Sequence, residues 1–242
     1  WGTLVGREGD AQLCGMLTCV RGLLAALAFW MALPASAQPS SLLPVPSSMR
    51  LADGRLTIDS TTRFEIAGFA DARLRRAVER AQSRLAQRIS QPVTGAARDT
   101  ARVPAARAIT IDVAGAGMTV QGIEEVEGYS LVITSQGATL RSATVVGALR
   151  GLETMLQLVE GDGGSFFLPS LEIHDAPRFP WRGLLVDVSR HFMPLEQLKR
   201  TLDGMALVKL NVFHWHLSDD QGFRVESRRF PLLHQRGSDG LF

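Results

Sequence analysis

Two apolar stretches, GLLVDV at 183–188 and LNVFHW at 210–215, stand on either side of one amphipathic segment, and that spacing restricts the topology more than anything else in the chain. Pro194 can open a helix between them, because the N–H it lacks is one that a first helical turn leaves unpaired. Leu195, Leu198, Leu202 and Met205 then recur on one helical face. Strand, helix and strand with short connections make a βαβ unit, whose two strands are predicted to be parallel. The unbroken apolar run GLLVDV is the pattern of a strand buried on both faces. One such unit cannot bury itself, so the reading expects more of the same domain beyond Phe242, in a sequence truncated early.

The region upstream has a different rhythm. QPSSLLPVPSS at 38–48 reads as an extended lead-in. Short strands are predicted at 55–58 and 62–66, then at 108–113, 129–134, 138–142 and 166–173. Residues 71–90 read as a helix, with Leu74, Val78, Ala81, Leu85 and Ile89 as its apolar stripe and its arginines on the solvated side. A second helix is predicted over 145–159, followed by a break at 161–164; residues 92–104 read as a loop. Strands and helices in alternation, with a hairpin in the middle, predict an α+β domain over 38–175. The prolines of APRFPWR at 176–182 place the boundary with the second domain, 176–242.

The first 37 residues carry a different message. From Met16, a basic Arg21, an apolar run at 22–33 and Ala35-Ser36-Ala37 have the form of a secretory signal peptide. The run is shorter than the ~20 residues a bilayer span needs. Cleavage after Ala37, with a periplasmic or secreted product and no membrane attachment afterwards, is the expectation; an uncleaved anchor is the alternative. Residues 1–15 read as upstream sequence. Both cysteines, Cys14 and Cys19, fall in this part, so the chain after Ala37 has no disulfide and no thiolate for catalysis or a metal. A net charge of +2 is too small to point to nucleic acid.

Polar residues collect where the two C-terminal strands end: Asp187, Ser189, Arg190 and His191 after the first, His214, His216, Ser218, Asp219 and Asp220 at the second. In α/β sheets and barrels that end carries function. His214 and His216, two apart on a strand, share a face and could begin a zinc site with Asp219 or Asp220, as in amidohydrolase-like barrels. Arg190 and Asp219 could instead grip adjacent sugar hydroxyls, or form an ion pair that merely orders two loops. Trp215 points away from its histidine neighbours and reads as packing rather than a sugar platform.

The string DVSRHF, a helix, then KLNVFHWHLSDDQG closely resembles the opening of the catalytic domain of glycoside hydrolase family 20 β-N-acetylhexosaminidases. EGYSLVITSQGATLRSATVVGALRGLETMLQLV resembles the small α+β domain that precedes the barrel in bacterial members. The resemblance implies an α+β N-terminal domain followed by the first βαβ part of an incomplete TIM (β/α)8 barrel. It also implies removal of terminal β-linked N-acetylglucosamine or N-acetylgalactosamine from oligosaccharides, with no metal and no other cofactor. In such a retaining, substrate-assisted mechanism the sugar's own acetamido oxygen attacks C1 and an Asp–Glu pair serves it, an exception to the two-carboxylate scheme. Asp219-Asp220 is not that pair, which is expected beyond Phe242, so no catalytic residue is assigned here and the chain alone is expected to be inactive. By motif position Arg190 and Asp219 match the residues that hold the non-reducing sugar, with His216 as a supporting residue behind them. Phe223 stands where family members often carry Trp. A non-catalytic carbohydrate-binding protein and a metal-dependent amidohydrolase remain the rival readings.

Overall fold

The computed structural model describes residues 42–89 and 108–238, so the expected leader and the expected loop at 92–104 lie outside the described residues. Seven strands form one mixed sheet: β1 (Ser48–Ile58), β2 (Arg63–Gly68), β3 (Ala108–Gly115), β4 (Tyr129–Thr134), β5 (Gly137–Thr144), β6 (Glu160–Asp162) and β7 (Ser165–Asp175). Their order is β1-β7-β4-β5-β3-β2, with β6 added to β7. The expected hairpin is β4–β5, closed between Thr134 and Gly137; β2, β3 and β5 run parallel to one another. β6 was not anticipated. The glycine break at 161–164 folds into a tight return, because Gly163 and Gly164 take φ of 53° and 125°, values that suit glycine in a hairpin turn.

Helices α1 (Ala72–Ile89) and α2 (Val145–Gln157) pack on one face of this sheet. Asp71 caps α1, its Oδ1 accepting from Leu74 N at 2.7 Å, and Thr144 caps α2 through Gly147 N at 3.1 Å. All five residues of the α1 stripe are buried, against Ile109, Ile111, Leu131 and Leu140 of the sheet. A Cβ on Gly151 would overlap Leu140, so the glycine lets α2 lie close on the strands.

The remainder is the βαβ unit: β8 (Gly183–Asp187), α3 (Leu195–Leu207) and β9 (Val212–His216), with the strands parallel as expected. Val186, Val188 and Leu198 form its small core with Met193, Phe213 and Leu217. The expectation of a strand buried on both faces is corrected here: Leu185 is 56% exposed. Register explains it. Leu185 and Asp187 of β8 and His214 and His216 of β9 face away from α3, and among the described residues no layer covers that side. The helix face is likewise half realised, with Leu198 and Met205 buried but Leu195 and Leu202 exposed. A short hairpin, β10 (Ser218–Asp219) with β11 (Gly222–Phe223), and helix α4 (Leu232–Gly237) follow.

A buried polar network joins the two parts at the starts of β8 and β9. Glu127 receives Arg150 Nε and Arg182 Nη2, both at 2.6 Å, and Asn211 Nδ2 at 3.2 Å. Beside it Lys209 Nζ reaches Asp175 and the Tyr129 hydroxyl, each at 2.9 Å, and Tyr129 also meets Thr154. Lys209 takes φ of 60°, a left-handed conformation unusual for a residue with a side chain. Burial is the largest influence on the Glu127 and Asp175 carboxyls and would raise both. The cations outweigh it: Arg182 and Arg150 hold Glu127, and Lys209 holds Asp175, below the usual carboxylate values.

Candidate sugar-binding site

The opposite ends of the same two strands build an open cluster around Arg190. Asp187, the last residue of β8, turns the chain: its Oδ1 accepts Ser189 N at 2.9 Å and Arg190 N at 3.1 Å. That turn swings the Arg190 side chain back across the strand ends. Asp187 Oδ2 then accepts Arg190 Nη1 at 2.9 Å, while Nη2 lies 2.7 Å from Asp219 Oδ2 and Nε donates to Gln221 Oε1 at 2.9 Å.

The β10–β11 hairpin brings the acceptors into place. Ser189 Oγ donates to Gly222 O at 2.8 Å, fastening the hairpin to the turn after β8. A Cβ on Gly222 would lie 2.7 Å from Ser189 O, so only glycine permits this approach. Arg224 adds a tie from beneath, donating to Val188 O and Ser189 O.

His216 Nε2 sits 2.9 Å from Asp219 Oδ2 and 3.2 Å from Arg190 Nη1. Asp219 is lowered to about 2, first by the backbone N–H of Asp220, then by His216, with Arg190 adding its charge. An ionised carboxylate only accepts. The 2.9 Å bond therefore requires the proton on Nε2, and Nε2 then has no lone pair for Arg190. Nη1 is directed at Asp187 and His216, and Nη2, which meets Asp219 as an ion pair, is the terminal nitrogen with N–H capacity for a ligand. Partial desolvation works against the Arg190 charge, but Asp187, Asp219 and Asp220 outweigh it and push its pKa up. The cluster is therefore a fixed cation rimmed by anions, with side chains half open to solvent: a hydrogen-bonding surface suited to neutral polar groups such as hydroxyls.

The structure thus brings Arg190, Asp219 and His216 together. His214 stays apart from the cluster, its ring centroid 6.4 Å from that of His216, and the described residues hold no group of three or more His, Cys, Asp or Glu that could bind a metal. Trp215 alternates with the histidines as expected and tilts against Phe213 on the side facing α3. Two members of the cluster had no assigned role. Asp187 had a readable signal only in its place at the end of the first strand; its pairing in register with His216, on the face turned from α3, came with the structure. Gln221 had none, because only the hairpin's docking brings it to Arg190.

The family model for the glycosyl hydrolase family 20 catalytic domain matches residues 179–241, and that for domain 2 of the same family matches residues 39–176. The second match alone spans more than half of the chain, and this chain belongs to glycosyl hydrolase family 20. The β-hexosaminidase subunit alpha of Rattus norvegicus is 53% identical over 117 residues, covering 48% of this chain and 22% of the relative. The chitobiase of Flavobacterium johnsoniae superposes with a TM-score of 0.77 at 38% identity, over 86% of this chain and 32% of that one. An exo-β-N-acetylglucosaminidase of Vibrio harveyi, solved in complex with N-acetylglucosamine, gives 0.66 at 29% identity, over 85% and 30%. The chain thus spans about a fifth to a third of the length of these relatives.

Proposed function

We propose that this chain supplies the wall that grips the non-reducing sugar in a β-N-acetylhexosaminidase, an enzyme that removes terminal β-linked N-acetylhexosamine. One observation carries the reading: on a family 20 chain, Arg190 and Asp219 meet at 2.7 Å, half open to solvent, at the C-terminal ends of two parallel strands. In this reading β8, α3 and β9 open a TIM barrel, whose active site lies at that end. The Nη2 end of Arg190 donates to, and the free lone pairs of Asp219 accept from, adjacent hydroxyls of N-acetylglucosamine or N-acetylgalactosamine. His216 holds the Asp219 carboxylate from behind.

The chemistry itself is substrate-assisted and retaining, through the sugar's acetamido oxygen, and it uses no metal or other cofactor. The reading assigns the Asp–Glu acid/base pair to none of the residues here, since Asp219 is bound to Arg190 and His216. The Met16–Ala37 leader makes the enzyme periplasmic or secreted, and puts it where glycans are met.

Titration of the 242-residue chain with N-acetylglucosamine, followed by NMR, tests the wall. Saturable shifts at Arg190, His216 and Asp219 are expected, together with their loss in Arg190→Ala. Equal binding by Arg190→Ala would overturn the assignment. A chromogenic β-N-acetylglucosaminide tests the rest: no turnover is expected from this chain, and release of the chromophore above background would place the acid/base pair within it.

A further inference from the structure

Arg190 can grip a ligand only if its guanidinium plane is held, because a free arginine carries several rotatable bonds and the corresponding entropy. Three groups hold it, one at each nitrogen: Gln221 accepts from Nε, Asp187 accepts from Nη1, and Asp219 forms an ion pair at Nη2. They are not equivalent. Asp219 is itself on the wall. Asp187 is also the turn residue whose Oδ1 binds two backbone N–H groups, so its loss would rearrange the chain after β8.

The Gln221 side chain accepts from Arg190 Nε and, through its own amide N–H, donates to Asp220 Oδ2 at 3.0 Å. It stands in the two-residue tip of the β10–β11 hairpin, whose position is fixed by Ser189 Oγ on Gly222 O and by the close approach of Gly222 to Ser189. An acceptor on Nε is also the one placement that orients the guanidinium without occupying either terminal nitrogen. A planar group anchored at Nε and at one Nη1 hydrogen can present its outer edge in a single direction.

We infer that Gln221 is a positioning residue: by accepting from Nε it fixes the plane of Arg190, so that the Nη2 end of the guanidinium faces the sugar hydroxyls beside Asp219. The inference rests on the sugar-wall reading of Arg190. It says that affinity and hydroxyl geometry at this wall are set from the hairpin tip, by a residue that makes no contact with the sugar.

The experiment uses the 242-residue chain and three variants, with the Arg190 Nε–Hε NMR signal as a readout that needs no ligand. In the unaltered chain this signal is expected to be resolved and to exchange slowly with solvent. Gln221→Met, close in length but without the oxygen acceptor, should speed that exchange and weaken N-acetylglucosamine binding about 5- to 10-fold, with thermal unfolding unchanged. Gln221→Glu, which restores the acceptor, should bring back slow exchange and binding within about twofold. Full binding by Gln221→Met while Arg190→Ala binds nothing would overturn the positioning role and leave the wall standing. A weakened Gln221→Met whose Nε–Hε exchange is unaltered, or which Gln221→Glu fails to rescue, would also overturn it. Equal binding by Arg190→Ala, or no binding by the unaltered chain, would overturn the wall reading and the inference together.

Discussion

The two ends of β8 and β9 each carry a cluster of arginine and carboxylate, and they do different work. At the starts of the strands Glu127 is buried between Arg150 and Arg182, and Lys209 between Asp175 and Tyr129. At their other ends Arg190 lies among Asp187, Asp219 and Gln221 with much of its side chain in solvent. The chemical groups are alike; the dielectric is not. A buried ion pair that loses one partner leaves a charge without water, whereas an exposed one is rehydrated. The first cluster can fasten two parts of a protein together, and the second stays available to a ligand.

The contrast can be broken most sharply at Glu127. Glu127→Ala strands two arginines in the junction and should cost about 5 kcal/mol, read by urea denaturation; a loss below about 1 kcal/mol would make the network ornamental. Lys209→Met should cost about 3 kcal/mol because Asp175 stays behind unpaired. The double variant Lys209→Met with Asp175→Leu should recover to within about 1 kcal/mol of the parent, since an intact buried pair roughly breaks even against apolar groups of similar size. Burial, the largest influence on Lys209, lowers its pKa, and Arg150 and Arg182 add to this against the pull of Asp175.

Acid probes the same difference. Glu127 and Asp175 both titrate below their ordinary values of 4.5 and 3.8 in the fold. The unfolded chain therefore takes up protons first as pH falls, and the stability these groups supply is complete above about pH 5 and lost progressively through the folded values. The urea midpoint should fall steadily from pH 5 to pH 3, and Asp219→Asn should remove only the share that Asp219, lowered to about 2, supplies at the open end. The smallest effect belongs to Arg190→Ala: a melting temperature within about 2 °C of the parent. In a protein carrying the complete barrel, the same change should lower kcat/KM on the order of a hundredfold, because a charged donor to the sugar is gone. A large drop in melting temperature with kcat/KM intact would make Arg190 a loop fastener instead.

Much of this was legible because local rules and burial agree. The α1 stripe of Leu74, Val78, Ala81, Leu85 and Ile89 is a 3.6-residue period with one apolar side, and every member is buried. The parallel β8–β9 pair followed from strand, helix and strand with short connections. Other features were not legible. β6 exists because Gly163 and Gly164 can turn three residues back onto β7, and a run of glycines reads equally as a break. GLLVDV has the pattern of a strand covered on both faces, yet Leu185 is open, since pattern records what a residue prefers to meet and not whether it is met.

By itself the sequence determined which side chains stand at the strand ends, because a two-residue alternation needs only the order of residues. That places His214 and His216 on one face and Trp215 on the other, and it puts Arg190 and Asp219 just past the ends. The family likeness rests on the same ordered string. Only the tertiary structure decided which of these groups bond. The hairpin docks through Ser189 and Gly222, and this contact across 33 residues carries Gln221 to Nε of Arg190 and Asp219 to Nη2. It also decided that Lys209 would be buried beneath Tyr129 rather than left in water as lysines usually are. Hydrogen-bond partners are set by distances of a few ångströms between segments far apart in the chain, and no local period encodes those distances.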